Sequence, residues 1–349
     1  MRITSVASAF PEYTYTQEAI TDALKRYWGD KLERPGLLER LHSRTGVSQR
    51  HLAFPFAQYE KFSTFGETNR AWFEVGQKLG AAAIDTALER AHLTRREVDA
   101  LYLVSITGIA SPSLDARLIN AMGLRSDVKR TPIFGLGCVG GAVGLTRAAD
   151  YVKAYPEQVA IALSVELCSL TMRKDDVSTV NLIAMGLFAD GAVAAVVEGG
   201  KRVCDGPEVV GQRSMFYGET EDIMGWDISE NGFGVVLSQK LPALIKGRFG
   251  ADVDGFLSDH GLTRRDIGSW VIHPGGPKVL QAVEEALGLY EGELRLSWEC
   301  LDRVGNLSSG SVLGVLEETM EHHRPAPGTM GLVGAMGPGF CSELILLRW

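Results

Sequence analysis

What this sequence lacks narrows its function first. No run of 18 or more apolar residues occurs, so no membrane-spanning helix is expected. The opening residues, Met1-Arg2-Ile3-Thr4-Ser5-Val6-Ala7-Ser8, are too weakly apolar for a signal peptide and read as a strand. Cysteine is scarce and scattered: five residues, an odd number, with no Cys-x-x-Cys pair. That pattern excludes a disulfide framework and a zinc ribbon, and it points to a reducing, cytoplasmic compartment. A basic excess is also missing, since the net charge is −8, which argues against nucleic acid as a main partner. What remains is a 349-residue chain, 45% hydrophobic and 22% charged, with the composition of a globular enzyme that buries a large core.

The stretch around which the chain is organised is Gly135-Leu136-Gly137-Cys138-Val139-Gly140-Gly141-Ala142-Val143-Gly144. It joins an apparent strand over 131–134 to a small-residue helix running through Ala149. Cys138 falls near the helix start, where unpaired N–H groups and the helix dipole favour negative charge. A lowered thiol pKa and a reactive thiolate are expected there. The competing reading is an inert buried cysteine. Gly135-x-Gly137-x-x-Gly140, with Glu157 beyond it, also satisfies a dinucleotide-binding pattern. Its glycines come late in the chain and Cys138 occupies the turn, so the match reads as coincidence.

Helices are expected over 16–27, 36–41 and 68–92, and a strand over 100–107. Leu93-Thr94-Arg95-Arg96-Glu97-Val98 returns 169 positions later as Leu262-Thr263-Arg264-Arg265-Asp266-Ile267, ahead of a strand over 269–273. At nearly the same offset, Gly137-Cys138 corresponds to Gly305-Asn306, which opens a helix over 307–320. The chain therefore reads as two related αβ halves, 1–200 and 201–349, divided near Glu198-Gly199-Gly200-Lys201. Pseudo-twofold packing would bring the Cys138 and Asn306 helix starts face to face. His273 ends a strand, where α/β folds expose their chemistry. Cys138, His273 and Asn306 together suit thiol nucleophilic catalysis. The same order fits a papain-like protease, whose local signature is missing here. Taken singly, His273 could be a satisfied loop histidine and Asn306 a plain helix N-cap. His322-His323 suit a helix C-terminus better than a metal, and Cys168, Cys204, Cys300 and Cys341 read as apolar fillers.

Gly137-Cys138-Val139-Gly140-Gly141, His273-Pro274-Gly275-Gly276-Pro277 and Gly305-Asn306-Leu307-Ser308-Ser309 resemble the three active-site motifs of chalcone synthase-like, type III polyketide synthases. Leu187-Phe188-Ala189-Asp190-Gly191-Ala192 and Gly337-Pro338-Gly339 match further family motifs. The resemblance implies an α/β fold of the thiolase type, αβαβα in layers, built from two duplicated halves and forming a homodimer. It implies an acyl-CoA starter loaded on Cys138 and extended with malonyl-CoA, with His273 and Asn306 stabilising the enolate, and with no metal or redox cofactor. Phe188 would be a gatekeeper. Val235 stands where plant members carry a second gatekeeping phenylalanine, and Ser111 replaces a methionine that reaches into the partner subunit. Ser308, Arg40, Arg44 and Lys278 complete the expected substrate contacts, the three cations lying toward CoA. Cys168-Ser169-Leu170-Thr171 and Ser113-Leu114-Asp115-Ala116-Arg117 look like bacterial members that make alkylpyrones or alkylresorcinols from fatty acyl-CoA. Two rivals remain. An initiating ketoacyl-ACP synthase would carry His-Gln-Ala-Asn around the histidine, and a non-catalytic lipid-binding or scaffold homologue would not need three intact catalytic positions.

Overall fold

Alternating and continuous apolar runs become strands, and capped amphipathic runs become helices. The computed structural model describes every residue except Glu33, and every side chain except those of Asp30 and Glu33. In chain order the first half holds β1 (Arg2–Ala9), β2 (Tyr13–Thr16), α1 (Gln17–Trp28), α2 (Leu37–His42), β3 (Gln49–Leu52), α3 (Phe56–Lys61) and α4 (Phe65–Arg90). It continues with β4 (Val98–Val104), α5 (Leu114–Met122), β5 (Lys129–Ile133), α6 (Gly140–Ala154), β6 (Val159–Leu167), α7 (Thr179–Leu187) and β7 (Asp190–Glu198). The second half begins with β8 (Glu208–Phe216), β9 (Met224–Ser229), β10 (Gly232–Leu237), α8 (Leu241–Ser258) and β11 (Ile267–Ile272). It ends with α9 (Pro277–Leu287), α10 (Arg295–Val304), α11 (Ser311–His322), β12 (Met330–Gly337) and β13 (Cys341–Arg348).

Helix ends follow local chemistry. The helix expected over 68–92 starts earlier, at Phe65, because Thr64 and Glu67 form a reciprocal capping box. The strand expected over 100–107 stops at Val104, where Ser105, Ile106 and Thr107 turn inward to a buried carboxylate. His322 lies in the last turn of α11, as its sequence position suggests.

Nine strands run in the order β11-β12-β13-β8-β1-β7-β6-β4-β5. The two halves of this sheet meet at one residue pair, Arg2 opposite Glu208. α6 packs against β4, β6 and β7 and also against β12 and β13, while α11 packs against β1 and β7 and against β11 and β12. The two helices are thus a middle layer between the half-sheets. Leu145, Ala149, Val312, Leu316, Val193 and Val333 belong to its continuous apolar core. α4 and α5 cover the outer face of the first half-sheet, and α8 and α9 that of the second. The result is five layers, αβαβα.

The repeat is visible down to single bonds. Thr94 with Glu97 and Thr263 with Asp266 form equivalent capping boxes. Arg95 grips both carboxylate oxygens of Asp85 at 2.7 and 2.6 Å, and Arg264 grips those of Asp254 at 2.6 and 2.7 Å. Asp85 and Asp254 are themselves 169 positions apart.

Candidate active site

β5 ends at Ile133, one residue before the strand end expected from sequence, and the chain makes a single 3-10 turn over Gly137–Val139 before α6 begins. Gly137 needs to be glycine: its φ is +52°, and a Cβ there would lie 2.6 Å from the Pro338 ring. The Gly337-Pro338-Gly339 run therefore packs directly on the turn that carries Cys138. Cys138 is buried, and its Sγ lies 3.9 Å from Ser308 Oγ. The expected lowering of its pKa is not what this environment produces. Burial pushes the thiol up to about 12; the Ser308 contact opposes that shift and the nearby Glu166 adds to it.

His273 follows β11 directly, its backbone N–H bonded to the Gly334 carbonyl at 2.9 Å. The ring is buried, and neither ring nitrogen has a hydrogen-bond partner. Burial lowers its pKa to about 3, so the imidazole is neutral at pH 7. A buried ring with two unsatisfied nitrogens is costly unless a ligand completes it, which sets His273 apart from a satisfied loop histidine.

Asn306 is not the N-cap of α11, a position held by Gly310. Its Oδ1 accepts from the Ser308 backbone N–H at 2.8 Å and from Ser311 Oγ at 3.2 Å. These two donors settle the amide orientation and leave Nδ2 as the outward group. One Nδ2 hydrogen goes to the Gly275 carbonyl at 3.3 Å, two residues after His273, and the second remains available. Ser308 pays a conformational cost to close this turn, with φ at +50°. Cys138, Ser308, Asn306 and the His273–Gly275 turn are thereby linked through direct contacts.

The remaining expected residues divide. Phe188 ends α7 and pairs with Asn306 in an isolated parallel bridge, so it borders the site. Val235 lies half-buried on β10, opposite Trp226 of β9. Arg40, Arg44 and Lys278 are exposed and are not brought to Cys138. Gly46, just past Arg44, packs against Pro277, just before Lys278, so two of these cations share one surface. Cys168 is buried, and with Phe188, Met172, Leu24 and Phe56 it lines a mostly apolar pocket that opens to solvent.

Three polar groups around the site, two of them fully buried, are not marked by the sequence motifs. Glu166 is fully buried and accepts from Thr107 Oγ1 at 2.9 Å, from the Ile106 N–H at 3.1 Å and from Ser309 Oγ, and burial raises its pKa to about 7. A lone acid in the apolar strand Val-Ala-Ile-Ala-Leu-Ser-Val-Glu-Leu was the available signal. Trp226 donates its Nε1–H to the Ile106 carbonyl at 3.0 Å, tying the β9–β10 hairpin to the same wall. Arg50 is buried behind Phe188. Among the described residues, no group of three or more His, Cys, Asp or Glu side chains could hold a metal ion, and no helix is long and apolar enough to cross a membrane.

Comparison with known proteins agrees with this geometry along the whole chain. Residues 8–203 match the model of FAE1/type III polyketide synthase-like proteins, and residues 208–349 match the C-terminal domain of chalcone and stilbene synthases. The chain is 49% identical to a 1,3,6,8-tetrahydroxynaphthalene synthase of Streptomyces peucetius subsp. caesius, covering 99% of this chain and 93% of that one. It is 35% identical to a putative chalcone synthase of Bacillus subtilis (strain 168), covering 99% and 98%. Among solved structures, the tetrahydroxynaphthalene synthase of Streptomyces coelicolor A3(2) superposes with a TM-score of 0.94 at 31% identity, covering 100% of this chain and 99% of that one. PKS-I from the brown alga Ectocarpus siliculosus follows with 0.92 at 30%, covering 99% and 97%. With both halves matched and the sheet, helix layers and motif turns in place, the chain belongs to the chalcone synthase-like, type III polyketide synthase family of condensing acyltransferases.

Proposed function

We propose that Cys138, His273 and Asn306 form one condensing centre for CoA thioesters, assembled from both halves. The observation that carries this reading is the pair of free donors: a buried, unpartnered His273 ring and an Asn306 amide with one hydrogen uncommitted. The Cys138 thiol gives its proton to a neutral imidazole as the sulfur attacks the starter thioester. The Cys138–acyl bond forms and CoA leaves as its thiol. Malonyl-CoA then binds with its thioester oxygen toward the His273 and Asn306 donors. Loss of CO2 leaves an enolate whose negative oxygen these donors stabilise, by about 3–4 kcal/mol each when the donor is preorganised. The enolate carbon attacks the acyl group, the Cys138–acyl bond breaks with the sulfur leaving as thiolate, and the chain, longer by two carbons and now carried on CoA, is taken back by Cys138 for the next round with release of CoA. In this reading the CoA thioesters are substrates and no further cofactor takes part. Arg40, Arg44 and Lys278 would meet the CoA phosphates at the surface.

Two readings of the product have distinct support. The 49%-identical relative is named for 1,3,6,8-tetrahydroxynaphthalene, whose ten ring carbons correspond to five two-carbon units. Trp226, pinned opposite the smaller Val235, would form an aromatic wall for such a poly-β-keto chain. The alkylpyrone or alkylresorcinol reading is supported by the apolar cavity beside Phe188 and Cys168, where a fatty acyl tail could lie. We take the naphthalene-type product first. A homodimer in the cytoplasm completes the proposal, with the exposed edge strand β5 and the neighbouring exposed Ile109 and Phe134 as the pairing face. The test is product mass spectrometry with malonyl-CoA alone and with acetyl-, benzoyl-, p-coumaroyl- and C6–C18 acyl-CoA. A ten-carbon product from malonyl-CoA alone supports the first reading. Products formed only with fatty starters establish the second.

A further inference from the structure

Buried arginines are rare because a guanidinium taken out of water needs several partners. Arg50 is buried on β3, and its environment lowers its pKa to about 10 through desolvation, against the opposing charge of Asp190. It donates Nη1–H to the Phe188 carbonyl at 2.7 Å and Nη2–H to Gln17 Oε1 at 3.0 Å. Its Nε is left without a partner. The aliphatic stem lies against Gly305: a Cβ there would sit 2.9 Å from Arg50 Cγ, and Gly305 has φ +76°. One side chain therefore touches the residue before Asn306 and the carbonyl of Phe188.

Those two points belong to one short bridge. The Asn306 N–H donates to the Leu187 carbonyl and the Ala189 N–H donates to the Asn306 carbonyl, both at 2.9 Å. No regular strand supports this bridge. Gln17 completes the support from the other side. Its Nε2 donates to the Gly186 carbonyl at 2.6 Å and to Thr45 Oγ1 at 2.8 Å, so it spans the end of α7 and the loop that carries Arg44.

We propose that Arg50, oriented by Gln17, is a positioning residue that holds Phe188 and Asn306 in the geometry required for decarboxylation. This rests on the condensing reading above, in which the Asn306 amide must aim at the enolate oxygen. Arg50 touches no reacting atom. It acts on the backbone at 187–189 and 305–306, while Cys138 is held separately by the turn over Gly137–Val139 and Pro338. Loss of Arg50 should therefore injure enolate chemistry and spare the thiol.

The experiment measures malonyl-CoA decarboxylation (kcat and KM) and the rate of Cys138 alkylation by iodoacetamide, in full-length wild type, Arg50→Met, Arg50→Lys and Gln17→Leu. A misplacement near 1 Å costs about 100-fold in rate, so kcat for Arg50→Met should fall by that order with KM and alkylation within about threefold. Arg50→Lys, which keeps a charged donor, should recover at least about tenfold of the loss, and Gln17→Leu should lose about tenfold. Unchanged decarboxylation in Arg50→Met overturns the proposal. So does a parallel loss of decarboxylation and alkylation, which marks a purely structural arginine. If Arg50→Met does not fold, Gln17→Leu decides by the same two readouts. A wild type that does not decarboxylate malonyl-CoA overturns the condensing reading and this inference with it; an active wild type with an indifferent Arg50 overturns this inference alone.

Discussion

The two halves share a scaffold and carry different side chains at its equivalent helix starts. At one helix start the chain presents a thiol, Cys138, packed beneath the Gly337-Pro338 run. At the equivalent start it presents an amide, Asn306, whose side-chain oxygen accepts from Ser308 and Ser311 and whose Nδ2 keeps one hydrogen uncommitted. The first half keeps an edge strand, β5, where the second places helix α10 at the corresponding positions. Duplication supplied two facing helix starts, and in the proposed condensing centre divergence at a few positions makes one a nucleophile and the other an anion holder. The consequence expected of that proposal is separability, with acylation in one half and enolate stabilisation in the other.

The most direct way to break that comparison is to remove each side in turn. Cys138→Ala should abolish chain extension, a loss of at least about 1000-fold, while malonyl-CoA still loses CO2. Asn306→Ala should lower decarboxylation by about 100- to 1000-fold and leave alkylation of Cys138 intact. CO2 release and iodoacetamide labelling read the two effects independently.

A packing test comes next. Gly141 and Gly310 are 169 positions apart in the two middle helix starts. A Cβ on Gly141 would run into the Ser309 backbone carbonyl, whereas one on Gly310 would meet side-chain atoms of Ser164, Val193 and Leu307 at 3.3–3.4 Å. Chemical denaturation should show Gly141→Ala costing about 3 kcal/mol or more and Gly310→Ala about 1 kcal/mol.

A smaller contrast separates the twin arginines. Arg95 adds one backbone carbonyl, that of Met122, to its carboxylate grip, and Arg264 adds two, those of Gly250 and Ala286. Both are partly exposed, so Arg95→Met should cost about 0.5–1 kcal/mol and Arg264→Met somewhat more. Equal losses would show that the extra carbonyl contributes nothing.

A further contrast lies in pH dependence. His273 has its pKa lowered from 6.5 to about 3, so the unfolded chain binds a proton that the folded one refuses, and stability is lost as pH falls from about 6.5 toward 3. Cys138 has its pKa raised from 9.0 to about 12, so its contribution is complete below 9 and is lost as pH rises toward 12. His42, lowered to about 4 by burial, shares the acid limb. Urea midpoints across pH should therefore show a shallower acid limb in His273→Asn and a shallower alkaline limb in Cys138→Ala.

Much of this arrangement is legible in the amino-acid sequence. Local chemistry marks Gly137-Cys138 and Gly305-Asn306, and the repeated Leu-Thr-Arg-Arg segment exposes the duplication because its capping boxes are built from neighbours in sequence. Glu166 was illegible as a site residue because its partners, Ser105, Ile106, Thr107 and Ser309, come from two other segments. Arg50 reads as surface charge until β3 is placed behind the Phe188–Asn306 bridge. The thiol pKa was misjudged for the same reason. A helix start is visible in sequence, but the burial that raises the thiol depends on segments brought in from elsewhere, such as Pro338 on the same turn, about 200 residues away.

The measurement that tests the central claim most directly is parallel CO2-release and product analysis on malonyl-CoA, with wild type, Cys138→Ala and Asn306→Ala compared. The account predicts CO2 with polyketide from wild type, CO2 without polyketide from Cys138→Ala, and neither from Asn306→Ala, whose thiol still alkylates. Polyketide from Cys138→Ala, or full CO2 release from Asn306→Ala, would contradict the division of labour between the halves.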